Sequence, residues 1–588
     1  MKTKLVFSMI SAILVLAFAM LACENSGVSP TATKIINKPN ATKTLSSSNS
    51  NVTVTQEKKP SQQSTEDEIT SQKDSSPTQT DQVVQPTSSA MLEAEAPAEA
   101  AKGSAGAIAP LPVAPSYAPM PTLAPPNGQP YADNFFKNYG VNPFIDTEDD
   151  HLSTFALDVD TGSYTVARRF INDGNMPPQD SVRVEEFVNY FEQGYELPKH
   201  GETFAIHMDG GPTPFTESDK YYMLRIGLQG YAVSDDERKD VSLVFVIDVS
   251  GSMEMENRLE LVKKALKLLV KQLRSTDTVG IVVYGTEARI VLPPVEAGQK
   301  ETILEAINAL EPEGSTNAEA GLQLGYSMAL KAFKPEGINR VILCSDGVAN
   351  VGETDAADIW KTIKARASEG ITLTTIGFGM GNYNDVLMEQ LADKGNGFYA
   401  YVDTITEAKR IFVQNLTSTL QTIAMNAKIQ VDFNPEVVSR YRLVGFENRA
   451  VADQDFRNDK VDAGEIGAGH SVTALYEVKL QPEAKGRIAT IHLRWEDPDT
   501  HKVTETKHDF YDEELSSTFT KASPYFQWDI LVAEFAEVIR DSYWAQNSNL
   551  AGILEDVERV SRKMPEDDND VSEFVDLVRQ ANQISRDN

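Results

Sequence analysis

Three short segments of the chain place oxygen-bearing side chains at the ends of apolar runs or just before a helix. They carry Asp248, Ser250 and Ser252 in FVIDVSGSM, Thr316 in EGSTNAEAGL, and Asp346 in VILCSDG. Hydroxyl and carboxylate oxygens are hard ligands, which suit Mg²⁺, Ca²⁺ or Mn²⁺ rather than Zn²⁺. The segments therefore predict a divalent-cation site, for which Mg²⁺ is favoured and Ca²⁺ or Mn²⁺ are alternatives.

Asp-x-Ser-x-Ser also fits two other interpretations. Serine and aspartate are common turn formers, so the pattern alone is compatible with a polar turn after a strand. A nucleophilic Ser250 would need a base within hydrogen-bond reach, but no histidine occurs between His207 and His470, and the Gly-x-Ser-x-Gly elbow is missing. His-Glu-x-x-His is missing as well, which argues against a zinc protease. We expect no enzyme and no small-molecule substrate.

The elements that must position these residues lie between Asp240 and Leu416. Apolar runs such as VSLVFVID, TVGIVVYG and NRVILCSD alternate with amphipathic helical patterns such as NRLELVKKALKLLVKQL. Continuous apolar strands joined by helical crossovers predict a doubly wound, mostly parallel α/β sheet covered on both faces. Ligands of such sheets bind outside the carboxyl ends of the strands, where Asp248 and Asp346 are expected.

Alternating strands occur on both sides of this region, before residue 240 and after residue 425. The simplest interpretation is one antiparallel β-sandwich into whose chain the α/β domain is inserted. The predicted organisation is a signal peptide (1–22), a disordered Ser/Thr/Pro/Ala-rich tether (23–130), an N-terminal module with sandwich strands (131–239), the α/β domain (240–416), the rest of the β-sandwich (417–520) and C-terminal helices (521–588).

The first 23 residues have the pattern of a bacterial secretory signal. MKTK supplies two positive charges, an apolar core follows, and MLAC ends at Cys23. The ending resembles the lipobox of bacterial lipoproteins, which implies acylation of Cys23; the alternative is an ordinary signal peptide with an incidental cysteine. We expect an extracytoplasmic protein of the cell envelope, attached to the membrane through this lipid only.

Composition and charge narrow the classes of partner. The net charge of −32 argues against nucleic acid, because phosphate binding needs clustered Lys and Arg.

The second cysteine, Cys344, lies in an apolar run and is expected to be a buried small hydrophobe. DVDTGSY, with Asp158 and Asp160, resembles the start of a calcium loop but does not complete an EF-hand, so a structural turn is expected. GFGMGN from Gly377 lacks dinucleotide-loop spacing and is taken as a glycine turn near the metal edge.

The five oxygen donors together resemble the metal-ion-dependent adhesion site (MIDAS) of the von Willebrand factor type A (vWA) domain. All five are present in order, and the resemblance covers about Asp240–Leu416. It implies that Ser250, Ser252 and Thr316 coordinate the ion directly, while Asp248 and Asp346 coordinate it or act through water. It also implies an open coordination position that accepts an acidic side chain from a protein ligand.

The flanking sequences resemble a bacterial subfamily of vWA lipoproteins, over roughly residues 131–582. STFALDVDTGSY resembles its N-terminal vWA-associated module, and WDILVAEFAEVIRDS resembles its C-terminal domain of unknown function. Such proteins are often labelled calcium-activated chloride channel homologues. No segment after the signal approaches the roughly 18 apolar residues of a membrane span, so we expect an anchored protein rather than a channel. The leading hypothesis is metal-dependent protein binding, and the alternative is an envelope scaffold in which the metal is incidental.

Overall fold

The computed structural model describes residues 134–215, 220–347, 356–380 and 383–587. The expected signal peptide, the tether and Cys23 lie outside these residues. Elements are numbered here in chain order.

The strands are β1 Ile145–Asp146, β2 Leu152–Ala156, β3 Phe204–Pro212, β4 Tyr221–Gly230, β5 Val241–Asp248, β6 Thr278–Tyr284, β7 Ala288–Glu296, β8 Ile338–Ser345, β9 Ile371–Phe378, β10 Tyr399–Val402, β11 Thr422–Phe433, β12 Val438–Val444, β13 Gly464–Gly467, β14 Ser471–Leu480, β15 Arg487–Glu496 and β16 Val503–Tyr511. The α-helices are α1 Gly162–Asn172, α2 Val184–Val188, α3 Arg258–Gln272, α4 Lys300–Asn308, α5 Ala318–Lys331, α6 Ala356–Ser368, α7 Asp385–Lys394, α8 Ile405–Lys409, α9 Leu416–Leu420, α10 Pro524–Ile539, α11 Leu550–Ser561 and α12 Asn569–Asp587.

The predicted α/β sheet is present, with six strands in the order β10-β9-β8-β5-β6-β7. Its pairs are parallel except β6 with β7, which is an antiparallel edge pair. Every residue of the central strand β5 is buried, because apolar cores lie on both faces of the sheet. This explains why the strand is continuously apolar rather than alternating. Cys344, in β8, is fully buried and free, as its apolar context predicted.

Two antiparallel sheets form the sandwich. One has the order β1-β12-β14-β4-β3, and the other has the order β13-β11-β15-β16 with β2 also paired to β11. Strand β4 precedes the α/β domain and β14 follows it, yet they pair over nine positions from Ser471↔Gln229 to Lys479↔Tyr221. The alternating inward side chains of both sheets make one apolar core. The α/β domain is therefore inserted into the chain of the sandwich.

Helices from the two ends of the folded region share a fourth core. The N-terminal helices α1 and α2 pack with α10, α11 and α12 around Trp528 and Phe574, both fully buried. Helix α10 begins at a Ser523 cap, whose hydroxyl accepts a hydrogen bond from the Phe526 amide, followed by Pro524 at the first helical position. The apolar stripe of α10 thus packs within the protein.

Candidate metal site

The carboxyl ends of the two central strands β5 and β8 lie side by side, because these strands pair in parallel through Ile247↔Cys344. Asp248 ends β5 and has no exposed surface. Its Oδ1 accepts a hydrogen bond from the Ser250 amide at 2.8 Å, and its Oδ2 accepts one from Ser345 Oγ at 2.9 Å. Both oxygens are therefore held in fixed directions at this edge of the sheet.

The serine loop continues directly from Asp248. Ser250 is extended (φ −58°, ψ 164°), and a 3₁₀ turn, Gly251–Asn257, leads into α3. The two hydroxyls of the motif meet, with Ser250 Oγ 3.0 Å from Ser252 Oγ. The Ser252 side chain is close enough to the Asp346 carboxylate to lower its pKa. Hydrogen bonds thus link Asp248 to Ser250 and Ser250 to Ser252, and Ser252 lies beside Asp346.

The loop that carries Thr316 is fastened to the serine loop by backbone hydrogen bonds. The Glu313 amide donates to the Val249 carbonyl at 2.5 Å, and the Gly251 amide donates to the Gly314 carbonyl at 3.1 Å. Gly314 has φ +70°, a left-handed conformation that favours glycine at this crossing. Thr316, two residues further on and half-buried, precedes helix α5. The third predicted segment therefore reaches the same edge.

Asp346 pairs with an arginine that the sequence reasoning did not single out. Arg258 Nη1 donates to Asp346 Oδ2 at 2.5 Å, and the exposed fractions are 2% for Arg258 and 4% for Asp346. Arg258 Nη2 donates to the Met380 carbonyl. A Cβ on Gly379 would lie 2.3 Å from Arg258 Nε. The glycine turn from Gly377 therefore packs at the metal edge, as expected, and it does so against this arginine.

Burial dominates the electrostatics of the two aspartates. It raises the pKa of Asp248 to about 6, and repulsion from the Asp346 carboxylate adds to the rise. Burial also raises the pKa of Asp346, against the lowering effects of Arg258 and Ser252. Two buried carboxylates with one guanidinium leave a net charge of −1 when both are ionised. This arrangement favours a bound cation, which would offset the excess negative charge.

The donor set fits a hard divalent cation. Every side chain that could face the ion offers oxygen, and Zn²⁺ would prefer nitrogen or sulfur ligands. Asp248, Asp346, Ser250 and Ser252 are the residues that would hold Mg²⁺ here, with Thr316 from the adjoining loop. A bound cation would supply positive charge for an incoming carboxylate. The additional residues Ser345 and Arg258 orient the two aspartates; Ser345 adjoins Asp346 in the sequence, whereas Arg258 carries no local signal.

A second acidic cluster among the described residues is paired with an arginine. Carboxylate oxygens of Asp158, Asp160 and Glu389 all lie within 4.8 Å of one another. However, Arg449 Nη2 lies 2.7 Å from Asp158, 3.4 Å from Asp160 and 3.0 Å from Glu389. Asp160 Oδ1 also accepts the Tyr399 amide at 2.9 Å. The cluster joins the N-terminal module, the α/β domain and the sandwich, whereas only a structural turn was expected of DVDTGSY.

Family models match the chain in three consecutive regions. The von Willebrand factor type A domain matches residues 242–414, a model described as von Willebrand factor matches residues 130–223, and the C-terminal domain of the uncharacterized protein YfbK matches residues 418–584. None of the helices in the described part of the chain has the length and apolar character of a membrane span.

Relatives match the chain to different extents. Protein YfbK of Escherichia coli (strain K12) is 35% identical over 476 residues, which cover 76% of this chain and 81% of that protein. Human inter-alpha-trypsin inhibitor heavy chain H2 is 28% identical over 200 residues, 32% of this chain and 21% of that protein. A solved von Willebrand factor type A protein from Catenulispora acidiphila is 15% identical with a TM-score of 0.39, covering 63% of this chain and 89% of that one. The YfbK relationship spans most of both chains, and the chain therefore belongs to the YfbK family of vWA-domain proteins.

Proposed function

We propose that this protein binds a protein ligand through a divalent cation, with Mg²⁺ favoured, held by Asp248, Ser250, Ser252, Thr316 and Asp346. The observation that carries the proposal is the meeting of two buried carboxylates and two hydroxyls at the carboxyl edge of β5 and β8. That edge is where doubly wound sheets bind ligands. A vWA-domain match over residues 242–414 gives independent support.

The charge of the site favours an acidic guest. Ionised Asp248 and Asp346 carry two negative charges, and Arg258 carries one positive charge. A divalent cation would change the local net charge from −1 to +1. A carboxylate from a partner protein would then be attracted both to the ion and to the site as a whole, whereas a lysine or arginine would be repelled. The residues of this chain fix the ion, and the partner supplies the remaining ligand.

The N-terminal sequence supports a place at the bacterial cell envelope. We propose that Cys23 is acylated and that the tether of residues 23–130 lets the folded region reach ligands away from the membrane. An envelope scaffold with an incidental metal makes a different prediction, because its partners would bind without the ion. The same experiment separates the two.

The test is a pull-down from envelope extracts by the purified full chain, with Mg²⁺ or with EDTA. Partner capture should require Mg²⁺ and should be lost in Thr316→Ala and Asp346→Ala. Thr500→Ala, in the turn between β15 and β16, is the matched control and should behave as the native protein. Capture that persists in EDTA and in Thr316→Ala would contradict the proposal and support the scaffold. Calorimetry with MgCl₂ should give one site in the native protein, and no heat of binding would also contradict it.

A further inference from the structure

A cleft of about 570 Å³ lies between the α/β domain and the sandwich. The α/β domain contributes the beginning of β8 and the turns that precede β8 and β9, while the sandwich contributes β13 and the turn between β15 and β16. Arg340 in β8 and Glu465 in β13 both line it, and Phe333, 39% exposed, forms part of its wall. The cleft lies at the amino end of β8, and the metal edge is at the carboxyl end of the same strand. A cleft of this size accommodates a small molecule.

Arg340 is an exception among the buried arginines. In the described residues eight arginines are buried, and seven of them form an ion pair with a carboxylate: Arg168, Arg183, Arg225, Arg238, Arg258, Arg442 and Arg540. Arg340, only 3% exposed, has no such partner within the described residues. Its Nη1 donates to Thr374 Oγ1 at 3.1 Å and to the Thr419 carbonyl, both neutral acceptors. Its Nε has no hydrogen-bond partner there.

Glu465 is the negative counterpart across the cleft. Its Oε1 is buried without a hydrogen-bond partner in the described structure, and the side chain forms no ion pair there. Burial raises the pKa of Glu465 well above its usual range, and burial lowers the pKa of Arg340 to about 10. Glu465 is near enough for its charge to act on Arg340, yet the two side chains are not paired. Keeping Arg340 charged and ionising Glu465 in these buried positions both cost free energy, which an oppositely charged partner would recover.

We infer that this cleft binds a small zwitterion, an α-amino acid or a dipeptide, with its carboxylate on Arg340 and its ammonium group on Glu465. A simple anion would satisfy Arg340 alone, and a simple cation would satisfy Glu465 alone. A molecule with both groups pairs both side chains at once, and Phe333 offers it an apolar wall. The guanidinium is suited to this task because its planar fork matches a carboxylate. This site is separate from the metal site and does not depend on it.

The test is calorimetric titration of the full chain with each of the twenty standard L-amino acids and with L-alanyl-L-alanine, in EDTA. At least one zwitterion should bind at one site with a Kd of about 1 mM or tighter. Derivatives of the best ligand with an acetylated amine or an amidated carboxylate should bind at least about tenfold more weakly, because each loses a charged hydrogen bond. Comparison of the free amino acids with L-alanyl-L-alanine shows whether the ligand is an amino acid or a dipeptide.

Two variants assign the binding to the cleft. Arg340→Gln and Glu465→Gln should each weaken the best ligand at least about tenfold, while Arg289→Gln, an exposed arginine on β7, should not. Circular dichroism checks folding, and Glu465→Gln keeps the test decisive if Arg340→Gln does not fold. No binding of any probe at about 10 mM, equal binding of the capped derivatives, or native affinity in Glu465→Gln would each overturn the inference. The last result would mean that Glu465 does not hold the ammonium group.

Discussion

Replacing Arg258 by methionine should make the protein less stable without metal and make it bind Mg²⁺ more tightly. Methionine keeps an unbranched, apolar side chain in the buried space and removes the guanidinium. In the native protein that guanidinium lies 2.5 Å from Asp346 Oδ2 and neutralises it. Without it, Asp346 is a buried carboxylate that repels Asp248, and only a bound cation can compensate for both.

The magnitude follows from the burial of the pair. Removing one partner of a buried ion pair costs about 3–5 kcal/mol, and both partners are buried here, at 2% and 4% exposed. In EDTA we therefore expect the free energy of unfolding of the vWA domain to fall by about 3 kcal/mol. Saturating Mg²⁺ should restore about half of that loss or more. By linkage, a recovery of about 1.5–3 kcal/mol corresponds to Mg²⁺ binding that is about tenfold to hundredfold tighter.

The assay combines urea unfolding, in EDTA and in MgCl₂, with direct calorimetric titration of Mg²⁺. Arg457→Met is the matched control, because Arg457 is exposed and its ion pair with Glu505 lies on the sandwich surface. That pair should contribute no more than about 1 kcal/mol, with no dependence on Mg²⁺. Affinity for an acidic protein ligand should decrease in Arg258→Met, because the loaded site then has a net charge near zero instead of +1.

One outcome would refute the reasoning. If Arg258→Met folds, as judged by circular dichroism, but binds Mg²⁺ as weakly as the native protein or more weakly, then Arg258 does not oppose the cation. Its contact with Asp346 would then have to position the carboxylate rather than balance its charge.

Three further changes should act away from the metal. Gly464→Ala should lower the free energy of unfolding by at least about 2 kcal/mol in urea, because its Cβ would lie 1.6 Å from the backbone carbonyl oxygen of Leu157. Arg168→Met should cost about 3–5 kcal/mol in the same assay, because the Asp403 carboxylate, 2.6 Å from Arg168 Nη2, stays buried and unpaired. Burial lowers the pKa of His470 from 6.5 to about 4, so the unfolded chain takes up this proton at a higher pH than the folded protein does. The free energy of unfolding should therefore fall by about 1–3 kcal/mol from pH 6.5 to pH 4. His470→Gln should remove that part of the pH dependence.

Each of these changes has a control or a contrary result. Gly552→Ala, inside helix α11, meets no atom closer than 3.7 Å and should be neutral or stabilising. Arg579→Met removes exposed ion pairs on α12 and should cost about 1 kcal/mol or less. A pH dependence of unfolding that is unchanged in His470→Gln would mean that the half-buried ring takes up its proton in the folded state as readily as in the unfolded chain.

The fold could be predicted from the sequence where hydrophobic patterning determines it. The continuous apolar run of β5 required burial on both faces, and the alternating runs on each side of the α/β domain required a sheet with one buried face. Which strands pair with each other is harder to predict, because the alternation of apolar and polar residues shows which face of a strand is buried but not which strand lies beside it. That β2 pairs with β11, and that β13 does so as well, depends on long-range register that no local pattern contains.

Part of the candidate site could also be predicted from the hydrophobic patterning of the strands. Asp248 and Asp346 follow parallel strands, so the topology of the sheet brings their backbones together. Arg258 could not be found in this way, because an arginine at the start of a helix is usually exposed, and only the packing of the Gly379 turn against it reveals its burial. Arg340 and Glu465 are far apart in sequence, and their shared cleft arises only from the contact between the inserted domain and the sandwich.

The pairing of β4 with β14 also constrains the order in which the chain folds. Gln229, at the end of β4, hydrogen-bonds the Gly469 carbonyl, 240 residues later in the chain. During synthesis the β3–β4 hairpin therefore emerges long before its partner strand, while the vWA domain, continuous in sequence, is complete much earlier. A nascent chain that stops after α9 carries a hairpin with an unpaired, partly apolar edge, which is an aggregation hazard. We expect the vWA domain to fold first. Strand β14, which is synthesised later, then completes the sandwich by pairing with β4.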